Sequence, residues 1–150
     1  MDSESVAWPS AEPRYRFRPP ATDEAATLDV LATVLDATGQ RPERVSLRVA
    51  IGRRTDLVGP RRIALESLSG HEDVTVADGH TIGTVPLTVE RFDTLVDLWA
   101  DIERAVVWGP DGVAIADWRD GVLRFALPTD ALESVREAND TVADRIERVE

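Results

Sequence analysis

The stretch AVVWGPDGVAIADWRDGVLRFAL, residues 105–127, decides the fold. Asp120-Gly121 is the pair favoured in a two-residue hairpin loop. With it as the loop, Trp118 opposes Leu123, Ala116 opposes Phe125 and Asp117 opposes Arg124. Apolar residues then meet apolar residues and opposite charges meet, which fixes the register. Gly109-Pro110-Asp111-Gly112 forms a second loop that joins a strand at 105–108 to this hairpin, giving a three-stranded antiparallel meander. Its inner face carries Val107, Ala114, Ala116, Trp118, Leu123, Phe125 and Leu127. The outer face sets Val106, Trp108, Val113, Ile115 and Val122 beside Asp117 and Arg124. A sheet apolar on both faces is covered on both or presents a patch to a partner, so Trp108, Ile115 and Val122 are candidate interface residues.

Downstream, Pro128 and Thr129 open a predicted helix over 129–148. Leu132, Val135, Asn139, Val142, Ile146 and Val149 alternate spacings of three and four, the seam of a short heptad pattern. Asn139 falls at an a-type position, where asparagine fixes register. Asn139, Val142 and Ile146 therefore join the candidate interface of a homodimer. The alternative is a helix docked on its own sheet.

Upstream, Phe92, Leu95, Val96, Trp99 and Ile102 share one face of a predicted helix over 88–104, and Asp93, Asp97 and Asp101 recur on the other. Like charges at that spacing repel, and the stripe reads as a solvated face. Asp78-Gly79 is a further hairpin loop that pairs Ala77 with His80 and Val76 with Thr81. Ile63, Leu65 and an outward Glu66 favour a strand over 61–68, with a helix as the alternative. Val45, Leu47, Val49 and Ile51 alternate in a strand over 44–51, and Leu28, Leu31, Val34 and Leu35 give the buried face of a helix over 22–38, capped by Thr22 and ended by Gly39. Tyr15 and Phe17 alternate with Arg14, Arg16 and Arg18 in a first strand, preceded by an arm over 1–13 expected to be mobile. The whole is one α+β domain over 14–150: an antiparallel or mixed sheet of about six to eight strands with three helices. At 150 residues a single core suffices, burying roughly two thirds of the unfolded surface.

Composition excludes much chemistry. The chain has no cysteine and no lysine, so thiol nucleophiles, thiolate metal sites, P-loop lysines and Schiff-base lysines are all absent. Its 17 basic residues are all arginine, set against 28 carboxylates for a net charge of -11. Such a chain repels itself in dilute buffer and relaxes in dense salt. A salt-adapted cytoplasmic protein is the expectation, with a GC-rich genome as the alternative reason for the missing lysine. No stretch approaches the roughly 18 apolar residues of a membrane span, so no membrane association is expected.

Three constellations remain. Seven arginines face only Glu43 and Asp56 across residues 41–62, a local charge of +5. The loop from Gly52 to Arg62 holds Arg53, Arg54, Arg61 and Arg62, whose guanidinium forks suit phosphate or carboxylate and make it the candidate anion site. His71, Asp73 and His80 are the candidate metal set, opposed by geometry: nine residues at about 3.3 Å each hold the histidines roughly 30 Å apart in an extended chain. Ser67, Ser69 and His71 offer a nucleophile and a base, but no nucleophile elbow surrounds them. No catalytic residues and no cofactor are therefore assigned, and nucleic acid is disfavoured because salt weakens phosphate attraction and no interleaved aromatics supply stacking. The expected function is a non-enzymatic regulatory or protein-binding domain, with an anion binder at the arginine loop and a metal or hydrolytic enzyme around His71 and His80 as alternatives.

Overall fold

A computed structural model describes residues 7–9, 12–23, 25–51, 57–77 and 79–149. The chain runs β1 (Arg14–Phe17), α1 (Ala26–Ala37), β2 (Arg44–Val49), α2 (Gly59–Ser69), β3 (Val74–Ala77), β4 (His80–Pro86), α3 (Val89–Leu98), β5 (Ile102–Trp108), β6 (Ala114–Arg119), β7 (Val122–Ala126), α4 (Leu132–Ala138) and β8 (Ile146–Val149). All eight strands form one antiparallel sheet in the order β3-β4-β2-β5-β6-β7-β1-β8. The fold is α+β.

The meander forms in the expected register, with Ala116, Asp117 and Trp118 opposite Phe125, Arg124 and Leu123. Asp120 and Gly121 both take positive φ, 56° and 75°, as a type I′ turn requires. Ala77 pairs with His80 and Val76 with Thr81, again as the turn chemistry dictates, although Asp78 lies outside the described residues.

Topology divides the sheet into two equivalent halves. β2, α2, β3, β4, α3 and β5 follow the split βαβ pattern, in which each helical crossover skips one strand. β7, α4, β8, β1, α1 and β6 repeat it, with β8 beside β1 where the first half has its hairpin. The first half is thus inserted between α1 and β6 of the second, and the halves join where β5 pairs with β6. Helices pack within halves, α2 against α3 and α1 against α4. One core cluster contains Val30, Leu31 and Val34 of α1, Leu65 and Leu68 of α2, Leu95 and Leu98 of α3, and Val135 of α4. It also contains Tyr15, Phe17, Val45, Leu47, Val49, Val107, Trp118, Leu123 and Phe125, so all four helices cover the same face of the sheet.

Four expectations are corrected. Residues 61–68 are helical, because Pro60 starts α2 and Ala64, Leu65 and Leu68 bury at helical spacing while Ile63 lies exposed. The helix placed at 88–104 ends at Leu98, and a 3₁₀ turn leads to β5 at Ile102, a residue that fits both the helical period and the strand alternation. α1 begins at Ala26 without a side-chain cap, so Thr22 does not start it, whereas Gly39 takes the expected left-handed conformation with φ 74°. The helix placed at 129–148 is only α4; Asn139 leaves helical geometry at φ -126°, ψ 44°, and β8 follows. Asn139-Asp140-Thr141 are turn-favouring residues that override the heptad spacing.

The segment placed as an arm also meets the sheet. The Ala114 N–H donates to the Ala7 carbonyl at 2.8 Å and the Leu127 N–H to that of Pro13 at 3.2 Å.

Candidate functional site: an arginine-bearing sheet face

Strand alternation that buries Val45, Leu47 and Val49 sends Arg44, Ser46 and Arg48 to the opposite face. The registers carry this alternation across the sheet. Arg14, Arg16, Arg44, Arg48, Arg104, Arg119 and Arg124 all lie on the face away from the helices, and Arg148 lies on the helix side. The strands contain only three carboxylates, Glu103, Asp117 and Glu147. A chain with a net charge of -11 therefore concentrates positive charge on the one sheet face that its helices leave uncovered.

Two rows of partners cross this face. In one, Glu147 stands opposite Arg16, Arg16 opposite Arg124, Arg124 opposite Asp117, Asp117 opposite Val106 and Val106 opposite Ser46. Arg16 Nε bonds Glu147 Oε1 at 3.2 Å, and Trp108 donates its indole N–H to Ser46 Oγ at 2.8 Å, with the Thr84 hydroxyl 2.8 Å from the same oxygen. Asp117 is only 2% exposed. Burial raises the pKa of its carboxyl above the ordinary value, against the opposing pull of Arg104, Arg119 and Arg124; Arg104 Nε stands 3.6 Å from Oδ1. Val106, Val122 and Ala126 are buried on this face, outside the helix-side cluster, where the aliphatic stems of flanking arginines are suited to cover them.

The second row sets Arg48 opposite Arg104 and Arg104 opposite Arg119 on three consecutive strands. Beside it, Glu103 Oε1 receives Arg48 Nε at 3.0 Å and lies 3.1 Å from His80 Nε2. All three arginines line a cavity of about 580 Å³ at the end of the β5–β6 junction, with Trp99, Ile102, Glu103, Trp118, Asp120 and Gly121. The Trp99 and Trp118 rings meet at 5.1 Å with 38° between their planes. Trp99 is 7% exposed, and its buried indole N–H has no acceptor.

The residues singled out by sequence fall elsewhere. Arg53 and Arg54 lie outside the described residues, Arg61 bonds Asp101 at 2.7 Å, and Arg62 bonds Glu66 at 3.3 Å within α2. His71 and His80 sit at opposite ends of the β3–β4 hairpin. His71 Nδ1 accepts the Asp73 N–H at 3.1 Å while His80 faces Glu103, so the structure does not bring His71, Asp73 and His80 together, and no three metal-ligating side chains converge among the described residues. The Ser69 hydroxyl donates to the Leu65 carbonyl at 2.8 Å instead of to His71. Of the interface candidates, Trp108 and Val122 belong to the arginine face. Ile115 is the extra residue of a bulge at Val107/Trp108 and enters the core, as do Val142 and Ile146. Asn139 donates to the Val135 carbonyl at 2.8 Å and to Thr33 Oγ1 of α1 at 3.2 Å. The seam residues thus bury against their own chain.

Sequence reading missed the arginine face because its rows join strands far apart in the chain. Alternation within each strand was the available signal, but β2 had to be placed beside β5 before the rows could be seen. No protein-family model, no curated protein and no solved structure matches this chain.

Proposed function

We propose that this chain is a non-enzymatic protein-binding module of a salt-adapted cytoplasm, which engages an acidic partner through the uncovered face of its sheet. One observation carries the reading: seven of the eight strand arginines lie on that face in a chain of net charge -11. Solubility in brine favours acidic surface, so a positive field on one face implies complementarity to a negative surface. Two copies joined face to face would set arginine against arginine, which disfavours a symmetric homodimer there. A nucleic acid would need stacking platforms, and Trp108 on this face is half-buried with its N–H committed to Ser46. No helix among the described residues is long and apolar enough to cross a membrane.

The test uses a polyglutamate peptide and a single-stranded RNA of equal charge, titrated across a potassium chloride series. The peptide is expected to bind the parent with a salt-dependent affinity, and Arg14→Glu/Arg44→Glu to weaken it at least about tenfold, since two contacts at roughly 1 kcal/mol or more are reversed in sign. Binding of the RNA without the peptide, or of neither at any salt that keeps the chain folded, overturns the reading.

A further inference from the structure

The sheet ends on two edge strands, β3 and β8, and their sequences treat the exposed edge differently. An edge presents unpaired N–H and C=O groups to any extended chain, and natural sheets guard it with charge, proline or a bulge. β8 reads Ile-Glu-Arg-Val, with charged residues at both central positions. β3 reads Val-Thr-Val-Ala and has no such guard, in a chain that is 30% charged. The two-residue turn makes Ala77 and His80 a hydrogen-bonded pair. Alternation then directs the backbone groups of Thr75 toward β4 and those of Val74 and Val76 outward. The Val74 N–H is met by the His71 carbonyl at 3.1 Å, but the Val74 carbonyl and both groups of Val76 meet no partner among the described residues.

We propose that β3 pairs antiparallel with β3 of a second copy of this chain, joining two sheets edge to edge in a homodimer. The edge is self-complementary. With the dyad at Thr75, the Val76 N–H of each copy donates to the Val74 carbonyl of the other, so each strand supplies what its mate lacks. Val74 and Val76, half-buried on the helix side of the sheet, then meet each other across the dyad, and Asp73 falls opposite Ala77 instead of another carboxylate. Charge permits the same pairing. β3 and β4 carry no arginine, so the nearest arginines of the open face lie on β2. Five strand spacings of about 4.8 Å set those of the two copies roughly 24 Å apart. Molar salt screens repulsion over that distance. The dyad stands perpendicular to the sheet, so the two arginine faces look the same way, although the proposal does not rest on what they bind.

Sedimentation of the full chain across a dilution series in molar potassium chloride reads the association. A monomer–dimer equilibrium is expected that strengthens with salt, because each copy carries a net charge of -11, whereas polyglutamate binding weakens with it. Val76→Pro removes one outward N–H, a change that an edge strand tolerates. It should raise the dissociation constant about tenfold or more, since two symmetry-related hydrogen bonds are lost. The chain has no cysteine, so Thr75→Cys places a single thiol at the dyad. Facing Cα atoms of a non-hydrogen-bonded pair stand about 4.5 Å apart, within disulfide reach. This variant should cross-link as a dimer under mild oxidation, and Ser134→Cys, exposed on α4 of the other half, should not. The cysteine pair keeps the test decisive even where Val76→Pro fails to fold. A parent that stays monomeric overturns the proposal, whether or not it binds an extended foreign peptide, and so does equal cross-linking of the two cysteine variants. Arg14→Glu/Arg44→Glu should leave dimerisation intact, so failure of this interface and failure of the open-face reading are distinguishable.

Discussion

Asp117 is the residue at which burial and charge compete most directly. Its carboxyl is buried among Arg104, Arg119 and Arg124, yet desolvation outweighs their attraction and raises the pKa. The folded chain therefore holds this proton to a higher pH than the unfolded chain does. Linkage then requires that the contribution of Asp117 to stability fall as pH rises from the ordinary carboxylate value, about 3.9, through the raised one, and stay level above it. Asp117→Asn mimics the protonated form at every pH. The thermal midpoint of the variant should match the parent in acid, then gain on it through this window. A gap that stays flat or closes with rising pH would show that the arginines win instead. The pairing of Asp117 with Arg124 was legible in the sequence, since Asp120-Gly121 sets the register. Arg119, two residues along the same strand, shares its face by alternation, but Arg104 was not legible, because it reaches Asp117 only through the pairing of β5 with β6, which carries an internal bulge.

At the scale of elements, local chemistry outperformed periodicity. Hairpins read from turn residues formed in the expected register, and β2, read from alternation, sits at the centre of its half. The errors arose where one apolar spacing fits two structures. Ile63 and Leu65 suggested a strand, but Pro60 and the burial of Ala64, Leu65 and Leu68 make α2. Leu132 to Val149 suggested a continuous seam, but α4 stops at Ala138 and Asn139 closes it by bonding Val135 and Thr33. Asn139→Leu separates the two outcomes. A dimer seam would associate more tightly with leucine. The observed cap predicts a loss of about 1–3 kcal/mol, the cost of leaving buried polar groups unpaired, with no change in association. Denaturant unfolding gives the first quantity and sedimentation across a dilution series the second; a stabilised or more strongly associated variant would contradict the cap.

For the whole molecule, charge is biased by layer: seven strand arginines lie on the sheet face that the helices leave uncovered, whereas the four helices carry eight carboxylates, Asp93, Asp97, Glu133 and Glu137 among them, against four arginines. The overall excess of negative charge was plain from composition, but its separation by face required the three-dimensional registers. Self-repulsion on this scale should make stability depend on screening. The thermal midpoint should climb through a potassium chloride series from dilute buffer into the molar range, and a level or descending series would remove the salt-adapted reading.

The insertion of one half of the sheet within the other also bears on how the chain reaches this state. Residues 44–108 contain every strand of the inserted half, and its pairings close comparatively short loops. β1 pairs only with β7 and β8, so Arg14 waits for Ala126 and Val149. Non-local pairings of that kind are slow to form. During synthesis the inserted half can assemble while β1, already made, remains an unpaired edge open to wrong partners until residues 122–149 have left the ribosome.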